Sequence, residues 1–277
     1  MNVAIASGKG GTGKTTVAVS LALAAEMPVW FLDCDVEEPN AHIFLNPSLD
    51  TSSRCTLSIP SVVEEKCSYC GKCREICRFN AITVFGQHIM TFPELCHACG
   101  GCFLVCPDEA LAESEREVGV VERGSSGTVV LVQGRLRVGE AMAPPLIKAV
   151  KAEVPAGARL VILDAPPGTS CPVIITVEDA DYTLLVTEPT PFGLHDLKLA
   201  VGVLRRLDRP FGVIINRSDL GDADVENWCR AQGIRVHMSI PFDRRIAEGY
   251  STGEPLIVTR PDLRPAFEKV LEEVLQS

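Results

Sequence analysis

Aromatic residues are scarce in this chain, whose 277 residues include two Trp, three Tyr and ten Phe. The hydrophobic fraction is nevertheless 46%, and most of it is Val, Ile, Leu and Ala. These residues are typical of buried strands and of the helices that cover them. The composition therefore favours an α/β protein with a sizeable core.

The chain also lacks an excess of positive charge, a long apolar run and a basic leader. Its net charge is -10 at pH 7, so duplex nucleic acid is not an expected partner. No apolar run approaches the roughly 20 residues of a membrane span. Residues 1–6 lead directly into a glycine-rich motif without a cleavage signal. We therefore expect a cytoplasmic protein that binds neither nucleic acid nor membrane.

Strand-like and helix-like segments alternate outside a central cysteine-rich region. Short apolar runs predict strands at 3–7, 28–32, 128–132, 160–163, 182–186, 211–215 and 236–239. Helical patterns occur at 15–25, 139–151, 193–207, 222–232 and 262–275. This alternation predicts a mostly parallel sheet with helices on both faces.

A phosphate-binding loop is predicted between the first strand and the first helix. Residues 8–15 read GKGGTGKT, which fits G-x-x-x-x-G-K-[ST]. Glycines let backbone N–H groups face phosphate oxygens, and the next helix directs its positive end at the same anion. Lys14 is expected at the β- and γ-phosphates and Thr15 at Mg²⁺. The predicted contacts are Gly8, Lys9, Gly10, Gly11, Thr12, Gly13, Lys14, Thr15 and Thr16.

The lysine at the second position of this loop makes the motif more specific. With Lys9 the loop reads K-G-G-x-G-K-T, and it resembles the deviant P-loop of the MinD, ParA and nitrogenase iron-protein superfamily of ATPases. The resemblance covers residues 1–54 and about 118–277. It implies that Lys9 reaches nucleotide phosphate across a dimer interface. ATP and Mg²⁺ would then bind between two copies of this chain, or between this chain and a paralogue.

Other residues resemble further segments of that superfamily. Asp35 follows the second strand and resembles the switch I acid, which implies a role in positioning water or the Mg²⁺ shell. Asp164 follows strand 160–163 and resembles the Walker B acid, with Gly168 supplying an amide near the γ-phosphate. Asn216 resembles the residue that recognises adenine. The implied catalytic residues are Lys9, Lys14, Asp35 and Asp164.

Two cysteine runs with the spacing C-x₂-C-x₂-C-x₃-C begin 29 residues apart. In a reducing compartment, cysteines in this number indicate metal in place of disulfides. Zinc is the alternative, but its sites commonly use two Cys-x-x-Cys pairs. The runs resemble bacterial two-cluster ferredoxins, in which the fourth cysteine of each run binds the other cluster.

The ferredoxin resemblance implies two 4Fe–4S clusters with defined ligands. The first cysteine set would be Cys67, Cys70, Cys73 and Cys106. The second cysteine set would be Cys77, Cys96, Cys99 and Cys102. The predicted domains are then an ATPase domain formed by 1–56 and 117–277, and an inserted α+β ferredoxin-like domain at 57–116. Insertion in a loop of the host is expected, because loops tolerate added segments.

Four cysteines lie outside the two runs. Cys34 and Cys229 are expected to be buried as small apolar side chains, and Cys55 has no evident role. Cys171 lies seven residues after Asp164, which is the spacing of a cluster-ligating cysteine in the nitrogenase iron protein. Two interpretations stay open for Cys171, an interface thiol that binds a cluster and an inert packed thiol.

These features together predict ATP-gated electron transfer with a redox protein partner. The alternative is an iron–sulfur cluster assembly or carrier ATPase resembling the Mrp-type scaffolds, which share the ATPase domain. Positioning of cargo, with the clusters as sensors, is a third possibility. The acidic character of helix 262–275 and the lack of a basic patch disfavour it.

Overall fold

The computed structural model describes residues 1–276, which form a nine-stranded sheet covered by helices and a separate two-stranded hairpin. The strands are β1 Asn2–Ala6, β2 Val29–Asp33, β3 Ser48–Val62, β4 Ile82–Phe85, β5 His88–Thr91, β6 Leu111–Ser126, β7 Val129–Leu136, β8 Leu160–Asp164, β9 Tyr182–Thr187, β10 Phe211–Asn216 and β11 Val236–Ile240. The helices are α1 Lys14–Ala24, α2 Ala41–Leu45, α3 Lys72–Ile76, α4 Gly101–Val105, α5 Ala143–Ala152, α6 Cys171–Val177, α7 Pro191–Arg206, α8 Asp224–Ala231, α9 Arg244–Ser251, α10 Leu256–Thr259 and α11 Arg264–Leu275.

The large sheet is parallel from β11 to β7, in the order β11-β10-β9-β1-β8-β2-β7-β6-β3. Strands β6 and β3 add to one edge in antiparallel pairing. The predicted α/β class with a mostly parallel sheet is therefore confirmed. Because β1, β8 and β2 are neighbours, the residues that follow them meet at one edge of the sheet, where α/β proteins bind ligands.

The core lies on both faces of this sheet. Alternate residues of β1 show the division: Val3 and Ile5 pack with α1, α10 and α11, while Ala4 and Ala6 pack with α5, α6 and α7. This alternation follows from the two-residue period of a strand, and both sets are apolar because helices cover both faces. Among residues 1–276, no helix has both the length and the apolar character needed to cross a bilayer.

Strands β3 and β6 were not predicted, and they change the interpretation of the insertion. They pair from Ser48 opposite Ser125 to Val62 opposite Leu111, with register shifts after Leu49 and after Cys55. The predicted domain boundaries fall inside this pair, next to the register shift between Cys55 and Thr56. The cysteine-rich segment therefore extends from two paired strands of the large sheet, and its separation as an inserted domain stays a prediction.

Segment 63–110 lies beyond those strands and has an internal repeat. Its first half contains a 3₁₀ turn at Glu64–Lys66 followed by α3, and its second half contains a 3₁₀ turn at Pro93–Leu95 followed by α4. The β4–β5 hairpin lies between the two halves. The 29-residue spacing of the cysteine runs is thus also the spacing of the secondary structure.

Candidate functional site

The P-loop joins β1 to α1 and has glycines where other residues would not fit. Gly11 and Gly13 have positive φ angles of 76° and 92°, a region that favours glycine. A Cβ atom on Gly13 would lie 2.4 Å from Nδ2 of Asn216. The loop therefore requires glycine at this position, and α1 begins directly after it as an anion site requires.

Asn216, at the end of β10, holds the P-loop in place. Its Nδ2 donates to the Thr12 carbonyl at 2.9 Å, and its Oδ1 accepts from the Arg217 N–H at 2.9 Å. Asn216 also lines a cavity of about 310 Å³ beside the loop. The other lining residues are Gly11, Gly13, Thr16, Val17, Arg217, Pro241, Phe242, Asp243, Ile246, Ala247, Tyr250 and Leu256. Recognition of adenine by Asn216 stays a prediction.

Lys14, Thr15 and Asp164 come together below the P-loop. Thr15 Oγ1 donates to Asp164 Oδ2 at 2.5 Å. Lys14 is buried and forms no ion pair within residues 1–276, yet its charge lowers the pKa of Asp164. Burial is the larger effect, and it raises the pKa of Asp164 to about 7.

Two buried oxygens in this site have no hydrogen-bond partner within residues 1–276: Asp164 Oδ1 and Thr12 Oγ1. Buried polar atoms are nearly always paired, so an orphaned carboxylate oxygen indicates a missing ligand. A divalent cation would offset the burial of Asp164, because it supplies the positive charge that the site lacks. The residues therefore fit Mg²⁺ with a nucleotide phosphate, held by Thr15 and Asp164.

Asp35 lies in the same site, although its neighbour Asp33 has the more extensive contacts. Burial raises the pKa of Asp35 to about 6, while the Lys14 charge opposes that rise. Asp33 is fully buried, and its carboxylate accepts from the N–H groups of Asp35 at 3.2 Å and of Asn40 and Ala41 at 3.0 Å each. Asp33 therefore shapes the segment that carries Asp35, a role that the sequence analysis missed.

Gly168 follows Asp164 with a φ of 98°. Its N–H donates to the Ser7 carbonyl at 3.0 Å, so this amide is already paired within the chain. Contact between this amide and a γ-phosphate requires that hydrogen bond to open. The predicted phosphate contact of Gly168 stays a prediction.

Lys9 forms an ion pair within its own chain. Its Nζ lies 3.1 Å from Glu188 Oε2, and Arg217 Nη1 lies 2.5 Å from the other oxygen of Glu188. Glu188 follows β9 and is buried, whereas Lys9 is half-buried. The sequence analysis missed Glu188, because its partner is far away along the chain. Lys9 is not directed at Lys14 or Asp164 of its own chain. This position is compatible with the predicted contact between Lys9 and a nucleotide bound to a second chain.

The cysteines form the two predicted groups in space. One cavity is lined by all four members of the first cysteine set, and another is lined by all four members of the second. Cys106 joins the first run and Cys77 joins the second, so each cavity draws on both runs. Burial raises the pKa of the Cys73 thiol, and the nearby Cys67 and Cys70 raise it further. This pattern means that the thiols lie close together.

Backbone N–H groups are directed at sulfur in equivalent positions of the two halves. Ala81 N–H donates to Cys77 Sγ and Ala110 N–H donates to Cys106 Sγ, each at 3.3 Å. Left-handed backbone also repeats at 29-residue spacing, in Tyr69 and Ala98, Gly71 and Gly100, and Asn80 and Glu109. Four thiols with N–H donors form the donor set of a 4Fe–4S cluster, so both cavities fit one.

Zinc was the alternative considered from the sequence. Its sites place four ligand atoms about 2.0–2.3 Å from one point. No group of three or more His, Cys, Asp or Glu side chains in the described residues is arranged to hold a metal ion. The choice between zinc and iron–sulfur clusters is therefore one for metal analysis.

The other four cysteines differ in exposure. Cys34 and Cys229 are buried, as expected, and burial raises the pKa of each thiol, to about 11 for Cys229. Cys55 is half-buried near the Pro145 carbonyl. Cys171 is exposed at the first position of α6. An inert thiol packed within its own chain therefore does not describe Cys171, and a role at an interface stays open.

Comparison with known proteins agrees with the P-loop assignment. The chain is 33% identical over 250 residues to an uncharacterized protein of Methanocaldococcus jannaschii, covering 88% of this chain and 85% of that one. It is 26% identical over 302 residues to the iron-sulfur cluster carrier protein of Aquifex aeolicus, covering 99% and 68%.

Among solved structures, the septum site-determining protein MinD of Pyrococcus horikoshii, complexed with Mg-ADP, is similar in fold. The TM-score is 0.60 at 21% identity, with 99% of this chain and 95% of that chain covered. The family model described as CobQ/CobB/MinD/ParA nucleotide binding domain matches residues 3–256. This chain therefore belongs to the CobQ/CobB/MinD/ParA family of nucleotide-binding P-loop ATPases.

Proposed function

We propose that this protein is a redox-coupled ATPase, in which hydrolysis of Mg-ATP controls electron transfer through two 4Fe–4S clusters. The observation that carries the proposal is the sorting of eight cysteines into two four-thiol cavities in a chain that also has a complete P-loop. The clusters would act as one-electron carriers. Each accepts one electron from a reduced redox partner and passes one electron to an oxidised acceptor.

Roles in the nucleotide step follow from the contacts described above. Lys14 offsets phosphate charge, and Thr15 with Asp164 holds Mg²⁺. Asp35 lies close enough to Lys14 for their charges to interact, and it would orient the water that attacks the γ-phosphate. The products are ADP and inorganic phosphate. A carboxyl group whose pKa is raised to about 6 is suited to exchange a proton with that water near neutral pH.

A dimer is part of this proposal. Lys9 would leave Glu188 and contact nucleotide phosphate in a second copy of the chain or in a paralogue. The phosphate is a stronger partner for the ammonium than one carboxylate that Lys9 shares with Arg217. Nucleotide binding and dimer formation would therefore support each other.

The test combines iron analysis, EPR spectroscopy and an ATPase assay on anaerobically reconstituted protein. We expect two 4Fe–4S clusters per chain and ATP hydrolysis that Lys14→Gln abolishes. We also expect the cluster potentials or the rate of electron transfer to change with the bound nucleotide. The expected matched control, Lys148→Gln, keeps hydrolysis, because Lys148 lies on α5 outside the site. Zinc in place of iron, or identical redox behaviour with ADP and ATP, contradicts the proposal.

A second candidate function is delivery of a cluster to other proteins. Two observations favour it: similarity to proteins named iron-sulfur cluster carrier protein, and exposure of Cys171, which could hold a labile cluster at a dimer interface. Transfer of a cluster to an apo-acceptor, lost in Cys171→Ala, would support delivery. The redox-coupled ATPase would be supported by a different result. Electron transfer would be the same in the unmodified protein and in Cys171→Ala, and neither of these two proteins would transfer a cluster to the apo-acceptor.

A further inference from the structure

A buried ion pair lies in the large sheet beside the cysteine-rich segment. Arg116 lies on β6 opposite Leu57 of β3, and Glu140 lies in the loop between β7 and α5. Their side chains are 5% and 1% exposed, and Arg116 Nη1 donates to Glu140 Oε2. Burial of two charges has a large desolvation cost, so such a pair gives weak support for a purely stabilising role.

The guanidinium of Arg116 also reaches a member of the second cysteine set. Its Nη2 donates to the carbonyl oxygen of Cys96 at 3.2 Å. The other oxygen of Glu140 accepts from the Met142 N–H at 2.9 Å. Arg116 therefore connects the backbone of a predicted cluster ligand directly to loop 137–142.

The start of that loop is hydrogen-bonded to the segment that carries Asp35. The Leu136 N–H, at the end of β7, donates to the Val36 carbonyl at 2.8 Å. The packing is close as well, because a Cβ atom on Gly134 would lie 2.6 Å from Val36 Cγ1. Displacement of residues 35–36 would therefore move the end of β7 and the loop that holds Glu140.

The two cysteine sets differ in their side-chain contacts with the rest of the chain. Within residues 1–276, the bond from Arg116 to Cys96 is the one side-chain hydrogen bond or ion pair between segment 63–110 and the rest of the chain. In the described residues, the first cysteine set has no comparable side-chain contact outside the segment. A change at the nucleotide site therefore has a polar route to the second set alone.

We propose that Arg116 and Glu140 are positioning residues that transmit the nucleotide state to the second cysteine set. This inference deepens the proposed function and depends on it. Movement of residues 35–36 displaces Glu140, and Arg116 follows its carboxylate because the two charges are buried together. The Cys96 backbone and a full positive charge then change position relative to the second cluster. That cluster is the one whose potential responds to nucleotide.

The experiment is an EPR-monitored redox titration of reconstituted protein with Mg-ADP and with a non-hydrolysable ATP analogue. The Cys67→Ser and Cys96→Ser variants assign the signals to the first and second cysteine sets. The test variant is Arg116→Met with Glu140→Gln, which removes both buried charges together and keeps an oxygen for Met142 N–H. The matched control is Arg54→Met with Glu117→Gln, an exposed ion pair at 3.8 Å between β3 and β6, whose Glu117 is next to Arg116 in the chain.

In the unmodified protein, we expect the potential of the second cluster to differ between the two nucleotides and that of the first to stay constant. The test variant should lose this difference in potential while it keeps both clusters and its nucleotide affinity. The control variant should keep the difference in potential. A test variant that retains the difference overturns the inference alone, as does a nucleotide response at the first cluster. The absence of any response in the unmodified protein overturns the proposed coupling itself.

If the test variant does not fold, Glu140→Gln alone provides the measurement, because it keeps the shape of the side chain and removes only its charge. Its nucleotide response at the second cluster should be smaller than in the unmodified protein. An undiminished response in this variant, with both clusters bound, counts against the proposed role of the ion pair.

Discussion

The carboxyl group of Asp164 is fully buried, which is an unfavourable position for an anion unless a cation accompanies it. Lys14 supplies only part of that charge, because burial still raises the pKa of Asp164 to about 7 and that of Asp35 to about 6. In the unfolded chain both carboxyl groups titrate near 3.8. The site without its ligands therefore holds protons that the unfolded chain has released.

This difference predicts how stability depends on pH without Mg²⁺ and nucleotide. Between about pH 4 and pH 7 the folded protein binds more protons, so its free energy of unfolding falls as pH rises, by at most about 1.4 kcal/mol per pH unit for each group. Asp164→Asn should make this slope shallower. Urea unfolding at several pH values measures it, and identical slopes in the two proteins would refute the assignment.

Gly13 supports a second prediction. Gly13→Ala places a methyl group against Asn216 in a left-handed conformation, with strain of about 1–3 kcal/mol. We expect it to break the bond from Asn216 to Thr12 and to weaken ATP binding at least tenfold, as measured by equilibrium titration.

Gly202→Ala is the matched control for that change. Gly202 lies inside α7 with open space around it, so alanine there should stabilise the protein by about 0.5–1 kcal/mol. ATP affinity should stay constant in this variant. Equal affinity of the Gly13→Ala protein and the Gly202→Ala protein would contradict the predicted close approach.

At the scale of elements, the two halves of segment 63–110 share a backbone but differ in two paired side chains. Phe79 stacks on His97 at 3.6 Å between ring centroids, beside the second cysteine set. The residues 29 positions away are Asp108 and Ser68, which hydrogen-bond to each other beside the first set. One cavity therefore has an aromatic pair where the other has a carboxylate.

This difference predicts unequal redox potentials for the two clusters. A carboxylate disfavours the added negative charge of a reduced cluster, so the first cluster should have the lower potential. Asp108→Asn should raise the potential of the first cluster and narrow the gap between the two. Glu109→Gln is the control, because Glu109 does not line the cavity. A redox titration of each variant measures the potentials of the two clusters. Equal effects of Asp108→Asn and Glu109→Gln on these potentials would argue against a local charge effect.

The elements that sequence predicted well are those whose residues have strong local periodicity. Strand β8 is uniformly buried and apolar before Asp164, and α7 has the spacing of a one-sided helix. Strand β3 was missed because it lies at the sheet edge and is mostly exposed, so its many Ser and Thr residues show no apolar alternation. The proline pair in α5 hid its start at Ala143, since proline is tolerated in a first turn.

For the whole molecule, the cysteine-rich segment has too few apolar contacts to be stable alone. Its buried apolar residues are Cys73, Ala81, Ile82, Val84 and Ala110, whereas the large sheet has extensive cores on both faces. Small units of this kind need metal to fold. The two parts of the chain should therefore respond differently when iron is removed.

Chelation of iron from the reconstituted protein should unfold residues 63–110 and leave the large sheet folded. Hydrogen exchange would then be fast in α3 and α4 and still slow in β1 and β8. ATP affinity should change little, because the P-loop depends on neighbours within the sheet. Slow exchange in α3 and α4 after complete iron loss would show that the segment is stable without metal.

The ion pair between Lys9 and Glu188 supports a prediction about assembly. Lys9→Ala should abolish the ATP-dependent dimer. Glu188→Gln should instead favour the dimer, because Lys9 no longer has to leave an ion pair with Glu188. The effect should be a few-fold, since a partly exposed ion pair contributes about 1 kcal/mol or less. Arg217→Gln is the control, since it leaves the Lys9 contact in place. Sedimentation with Mg-ATP measures the dimer, and loss of dimer in the Glu188→Gln protein would contradict this role.

The site residues that sequence predicts are those that lie close together along the chain. Gly8 to Thr16 and the cysteine runs are contiguous, so spacing alone indicated their chemistry. Glu188 and the pair of Arg116 with Glu140 act through contacts between distant segments. A single sequence has no signal for such contacts, because an isolated Glu or Arg has the same pattern on any surface.

The paired strands β3 and β6 also determine where the cysteine-rich segment joins the rest of the chain. Their far ends, Val62 and Leu111, are directly opposite each other, so the backbone leaves the sheet and returns to it at nearly the same point. A tight turn could close that gap without rebuilding the core. Deletion of 63–110 with such a turn should therefore leave a sheet that still folds.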